Sequence, residues 1–358
     1  MDTLTHALSG ALLARATEPE ARREHQLPRR LRMWVGFWAA AFPDADFIVS
    51  FIDPIAYLTV HRGITHSVIM LPFWALGLAF LFALIVRQRY SWKAFAAVCA
   101  LGIGIHIAGD VITAFGTMIF APFSNWRAQI PTTFIIDLYF TSIIIAGLIA
   151  SMRWKTARTP AVIGLAVLTG YVGFQAFLYG LALSVGNAYI AAHDLNPARA
   201  HAIPQPFSPF NWMVVVEQPK SYRLAYISLL RKEAPSPPPG NASWLRRVYA
   251  SYRPANEARW QLVQRYGAIE ADAKLAEAAW SSESLARYRH FALFPAMYRL
   301  DRGRTRTCVW FNDLRFALAG RTMPFRYGAC RDGANAPWKL DHPVSNDSGT
   351  ELFEAFPD

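Results

Sequence analysis

The stretch Phe95-Ala-Ala-Val-Cys-Ala-Leu-Gly-Ile-Gly-Ile-His106-Ile-Ala-Gly-Asp110-Val-Ile112 decides how this chain is read. Apart from one imidazole and one carboxylate it is apolar, and it approaches the roughly 20 residues a bilayer-spanning helix needs. Ionisable groups inside such a segment are costly, so they mark function by default. His106 and Asp110 are four residues apart and share one helix face, with Gly109 leaving room beside them.

Moving outward, Val68–Val86, Phe134–Met152 and Ala161–Val185 come close to the spanning length or exceed it. Met33–Ile52 is a further candidate, interrupted by Pro43, Asp44 and Asp46. Leu4–Ala16 is apolar but short, which suits a re-entrant or tilted helix. It lacks the basic region that precedes the apolar core of a signal peptide, so it reads as mature structure.

Composition agrees. Hydrophobic residues make up 53% of the 358-residue chain and charged residues only 17%, against about 25% in an ordinary soluble protein. Residues 1–185 hold 14 Lys/Arg and 9 Asp/Glu, whereas residues 186–358 hold 22 and 16. The first half is therefore neither disordered nor an ordinary cytosolic enzyme. The expected fold is a polytopic α-helical membrane domain, 1–185, followed by a small α+β extracytoplasmic domain, 186–358.

The net charge of +11 first suggests a nucleic-acid partner. Sorting the basic residues argues against it. Arg15–Arg32, Arg87–Lys93 and Arg153–Arg158 hold 12 of them, and the alternate loops Asp53–His66 and Thr113–Thr133 hold 2, Arg62 and Arg127. Lys and Arg accumulate in cytoplasmic loops, so the N-terminus, the two sparse loops and everything after Val185 are expected outside. A cytoplasmic basic patch facing anionic lipid headgroups is compatible with this.

In the second half, Trp212–Glu217, Arg223–Leu230 and Thr305–Leu318 read as strands, and Asn256–Arg289 has helical composition with a break near Ser281. Pro197–Pro209 is a Pro-rich approach, and Ala234–Gly240 a loop. Cys308 and Cys330 could pair in an oxidising compartment, while Cys99 reads as a small core residue.

The polar residues of the apolar half are His6, Asp44, Asp46, His61, His66, His106, Asp110 and Asp137. On the expected topology all eight fall near the outer face. His61 and His66 are about 140° apart on a regular helix, so they cannot share one helical face. The expectation is that His61 ends a loop, Gly63 turns the chain, Thr65 caps, and His66 opens the helix to Val86. Pro43-Asp44-Ala-Asp46 reads as a non-helical turn with both carboxylates on one side. Asp137 could pair with Arg127. Imidazole with carboxylate suits zinc, and also manganese or iron; one or two ions could activate a water. Arg62, between the two histidines, could hold an anion and offset developing negative charge.

Thr5-His6, Pro43–Asp46, His61-Arg-Gly-Ile-Thr-His-Ser67 and His106–Asp110 occur in this order and resemble the YdjM-type membrane-bound metal-dependent hydrolases. The resemblance covers about residues 1–185 and the stretch Phe207–Trp212. It implies an inner-membrane enzyme with a metal site from His6, Asp44, Asp46, His61, His66, His106 and Asp110, cleaving a phosphoester. Outer-interface location favours a lipid or lipid-linked substrate in the bilayer, with Arg62 neutralising charge and Asp46 or Asp110 as general base. The alternatives are a transporter or ion relay using the same cluster, and a scaffold with a structural metal.

Overall fold

A computed structural model describes residues 1–19, 26–154, 157–318 and 323–342. Arg22, Arg23 and Lys155, counted above as cytoplasmic charges, and His25 lie outside the described residues. The chain forms two compact units, Met1–Phe177 and Leu178–Asp358.

The first unit is helical: α1 Thr3–Ala16, α2 Arg29–Ala41, α3 Pro54–Val60, α4 Leu71–Ile85, α5 Trp92–Val111, α6 Leu138–Arg153 and the start of α7 Thr159–Ala192. Side-chain caps fix several starts. Asp2, Asp53, Ser91 and Asp137 accept from backbone N–H groups at the heads of α1, α3, α5 and α6, satisfying donors that a helix leaves unpaired.

Only α5 and α7 are by themselves long and apolar enough, among the described residues, to cross a membrane. The segment Pro54–His66 and α4 pass together, but with a 78° bend between them. Two expected spans are thus shorter than read from the sequence. Asp137 spends the head of Phe134–Met152 as a cap, and Pro72 sets the start of α4 within Val68–Val86. Met33–Ile52 is not one helix either. The α-helix begins earlier, at Arg29, and gives way to a 3-10 helix, Phe42–Phe51, where Pro43 removes a backbone donor. The Pro43–Asp46 stretch is accordingly helical of the tighter kind, not an open turn.

Small residues let α1, α2 and α5 approach backbone to backbone. A Cβ on Gly10 would meet the Gly36 carbonyl oxygen at 2.2 Å, one on Gly36 the Gly10 oxygen at 2.5 Å, and one on Gly102 the Ala39 Cβ at 2.8 Å. Van der Waals packing of this kind joins helices where lipid removes the hydrophobic drive. It brings the N-terminal end of α1, the C-terminal end of α2 and the C-terminal half of α5 to one place.

The second unit holds two sheets. β1 Arg199–Pro204, β2 Asn211–Gln218 and β3 Ser221–Ser228 run antiparallel, and the far edge of β3 is shared by β4 Arg253–Pro254 and β5 Gln261–Gln264. Trp212, Val214, Ala225 and Ile227 pack with Leu178 and Ala182 of α7 in its core. The other sheet is the meander β6 Pro295–Arg302, β7 Arg306–Asp313, β8 Tyr327–Asp332 and β9 Lys339–Asp341. Cys308 and Cys330 face each other across β7 and β8 and form a disulfide. Helices α8 Trp244–Ser251, α9 Glu270–Ser281 and α10 Ala286–Phe291 complete it. The helical reading of Asn256–Arg289 fails in its first half, where Gln261–Gln264 pairs with β3. The Pro-rich approach contains β1, an edge strand ending on Pro204, where a missing N–H costs little.

Candidate metal centre

Four side chains converge near the C-terminal end of α5. His106 and Asp110 come from one face of that helix, Asp44 from the 3-10 helix after α2, and His66 from the 3-10 turn Ile64–His66. The Nε2 atoms of His66 and His106 are 2.9 Å apart. Asp44 Oδ1 lies 3.6 Å from both. Asp110 Oδ2 lies 3.2 Å from His66 Nε2 and 3.5 Å from His106 Nε2.

Hydrogen positions follow from the outer partners. His106 Nδ1 is 2.6 Å from the Ala40 carbonyl oxygen, which can only accept, so Nδ1 carries the hydrogen. Thr65 Oγ1 donates to Asp46 Oδ2 at 3.1 Å and therefore accepts from His66 Nδ1 at 2.9 Å. Each neutral ring is left with a bare lone pair on Nε2. With both rings neutral, two such lone pairs and two carboxylate oxygens face one point with no hydrogen among them. Asp110 Oδ2 is buried and makes no hydrogen bond. A buried nest of acceptors is unfavourable unless a positive charge sits among them. Asp44, His66, His106 and Asp110 could hold a metal ion.

The surrounding groups hold these four in place, as outer partners of metal ligands do. Asp110 Oδ1 accepts from the Met1 amine at 2.6 Å and His6 Nε2 at 3.0 Å, and pairs with Arg62 Nη2 at 2.9 Å. The His6 ring also stacks on His106, centroids 3.7 Å apart. Gly109 permits this, since a Cβ there would sit 3.0 Å from His6 Cε1. Thr3 Oγ1 donates to Asp44 Oδ2 at 2.6 Å. His61 Nδ1 donates to Asp46 Oδ1 at 2.7 Å, and its ring stacks on Tyr57.

Of the seven expected ligands, Asp44, His66, His106 and Asp110 share one point, whereas His6, Asp46 and His61 lie beside it as partners. Arg62 is 1% exposed, with Nη1 donating to Thr113 Oγ1 at 2.7 Å and its guanidinium over the Phe115 ring. It reaches the other oxygen of Asp110 rather than the nest. Arg62 is also the residue that turns the chain, at φ +57°; Gly63, at φ −99°, instead permits a close approach to the Val60 oxygen. Ser67, not Thr65, accepts from the backbone ahead of α4, which begins at Leu71 and not at His66. Asp137 caps α6 and accepts from Tyr171 Oη at 2.8 Å, while Arg127 donates to the carbonyls of Leu58 and Gly116. Thr3 and the Ala40 carbonyl carry no sequence signal of their own; Thr65, expected as a helix cap, instead bridges His66 and Asp46.

The model of the family described as "YdjM inner membrane protein" matches residues 1–182. The chain is 25% identical over 182 residues to a Bacillus subtilis (strain 168) protein described as "Uncharacterized protein YfhP", covering 49% of this chain and 52% of that one. The chain thus spans about half the length of the curated relative it matches. No solved structure matches it.

Proposed function

Because the chain belongs to the YdjM inner membrane protein family and carries a buried His/Asp group that could hold a metal ion, we propose that it is a membrane-bound metal-dependent hydrolase. The observation that carries this reading is the convergence of two imidazole Nε2 atoms and two carboxylate oxygens on one buried point. A divalent ion there, zinc by donor type with manganese or iron also suited, would supply a Lewis acid for phosphoryl oxygens and lower the pKa of a water.

The chain's own groups divide the remaining work. Asp110 is fully buried and saturated on Oδ1, so it serves as a ligand. Asp46 and His61 keep some exposure and form a carboxylate–imidazole pair able to accept a proton. Arg62 positions Asp110 in place of touching the substrate. The substrate class we infer is a phosphoester in a lipid or lipid-linked molecule. Supporting this, the 3-10 helix that carries both aspartates exposes Phe47, Ile48 and Phe51, with Ile52 directly after it, an apolar rim suited to a bilayer interface. The outer face is supported by the sparse basic charge of the two loops at this end and by the Cys308–Cys330 disulfide, a bond of oxidising compartments.

The test is a panel of phosphomonoesters, phosphodiesters and phospholipids, with zinc or manganese, on purified wild type and on Asp46→Asn and His61→Ala. Turnover of a phosphoester that falls by about 10²-fold or more in both variants supports the assignment. Absence of turnover throughout the panel, with metal bound, would refute it.

A further inference from the structure

The C-terminal part of α7 belongs to the second unit, and its contacts there give its direction. The Tyr179 ring meets that of Trp212, centroids 6.1 Å apart. A Cβ on Gly186 would meet Ala200 Cβ at 2.7 Å and Val214 Cγ1 at 2.9 Å, and Tyr189 stacks on Trp260. The helix therefore climbs beside β2 starting from the Asn211 end. Leu178 and Ala182 are spent in the core of this sheet, so the part of α7 left free of the second unit is residues 159–177. A helix of that length runs roughly 28 Å, close to the roughly 30 Å of a bilayer's hydrocarbon core. The Asn211 end of the second unit is thus the end from which the apolar helix leaves.

Three segments gather aromatic and aliphatic side chains at that end. The loop before β2 holds Phe207, at φ +71°, a region that bulky residues rarely adopt. The turn after β3 holds Leu230, and its neighbour Leu229 donates its N–H to the Phe210 carbonyl at 2.9 Å. Helix α8 brings Trp244, Leu245 and Tyr249, then rejoins the sheet where Arg253 and Pro254 pair with Ile227 and Ser228. The Phe207 and Trp244 rings lie 6.0 Å apart, and the Arg231 guanidinium lies 3.8 Å from the centre of the Tyr249 ring. The three segments therefore form one surface. Buried Val248 and the Tyr252 hydroxyl, which donates to Gln205 Oε1 at 3.2 Å, anchor α8 beneath it. Yet Phe207, Leu230, Trp244, Leu245 and Tyr249 remain between 41% and 65% exposed.

The charge around this surface has one sign. Residues 228–251 hold Arg231, Lys232, Arg246 and Arg247, against Glu233 alone. Lys232, Arg246 and Arg247 are exposed and form no ion pair among the described residues. Exposed aromatics flanked by arginine and lysine are the chemistry of a helix lying in a membrane interface. Trp and Tyr collect at that level, and basic side chains there meet anionic headgroups.

We propose that this surface docks on the anionic bilayer that α7 enters, holding the second unit against the membrane. Phe207, Trp244 and Leu245 would sink below the phosphates, with Lys232, Arg246 and Arg247 beside them. Docking here is independent of the His/Asp group and of any hydrolysis.

The test uses the full chain in nanodiscs of phosphatidylcholine, with or without phosphatidylglycerol. A single cysteine replaces Leu245 in the surface, or exposed Lys220 in the hairpin at the far end of β2. It carries a spin label. Cys99 is buried and Cys308 and Cys330 are paired, so the introduced thiol is the one that reacts. Collisions with oxygen, which concentrates in lipid, and with a water-soluble nickel complex report the phase around each label.

In discs with phosphatidylglycerol, the Leu245→Cys label is expected in lipid and the Lys220→Cys label in water. Adding Arg246→Gln/Arg247→Gln should shift the Leu245→Cys label toward water by roughly tenfold in the docking equilibrium, with an unchanged melting curve. Omitting phosphatidylglycerol should shift it the same way. A Leu245→Cys label in water in every disc would overturn the proposal, as would burial in lipid that ignores both the arginines and the headgroup charge. Shielding that persists in detergent and grows with protein concentration would assign the surface to a second copy of the chain, and would overturn it too.

Discussion

Asp110 is the pivotal residue of the candidate metal group because its two oxygens have different surroundings. Three cationic or N–H groups contact Oδ1, and Oδ2 faces only the other acceptors. Arg62→Lys keeps the charge but loses the fork that spans Asp110 and Thr113. We expect it to weaken metal affinity about 10- to 100-fold while the protein stays folded, read by competition with a metal-binding dye; unchanged affinity would remove Arg62 from its positioning role. That a His/Asp cluster forms here was legible in the sequence, because carboxylates and imidazoles are too costly in apolar segments to stand there without a partner or an ion. Their division into four converging donors and three partners was not. It depends on which nitrogen of each imidazole faces a carbonyl or hydroxyl, and Ala40 and Thr65 look like any helix end and any turn.

Element geometry accounts for how residues so far apart in sequence meet. The Gly10–Gly36 crossing and the Gly102 contact set the spacing of α1, α2 and α5, so damage there should be felt at the metal group. Gly36→Val would drive its side chain into the Gly10 carbonyl. We expect it to destabilise by at least about 1–3 kcal/mol, as overpacking does, and to lower metal content with it. Gly77→Ala, in α4 where an added Cβ meets nothing within 4 Å, should be neutral or stabilising by about 0.5–1 kcal/mol. Melting temperatures of the two variants compare these directly, and equal effects would mean the crossing does not set the fold. Apolar runs were easy to see in the sequence, but their lengths as helices were not. Pro43, Pro72 and Asp137 each begin or end a helix inside a run that hydropathy alone reads as continuous. Gln261–Gln264 shows the same limit in reverse: helical composition was overridden by pairing with β3.

For the whole molecule, charge divides the sequence into apolar and aqueous halves, and the structure gives a helical unit and a sheet-rich unit. The sidedness we propose rests on a count of 12 basic residues against 2 in alternate loops. Single cysteines replacing Arg89 and Asn125, both exposed, should be labelled from opposite sides of the membrane. Labelling from the same side would overturn the topology. The central claim is that Asp44, His66, His106 and Asp110 hold a metal ion, and metal analysis of the purified protein tests it most directly. Wild type is expected to retain a divalent transition metal through dialysis, while His66→Ala and Asp110→Asn, checked by melting to be folded, lose it. Full metal occupancy in both folded variants, or none in the wild type after incubation with zinc, manganese and iron, would contradict it.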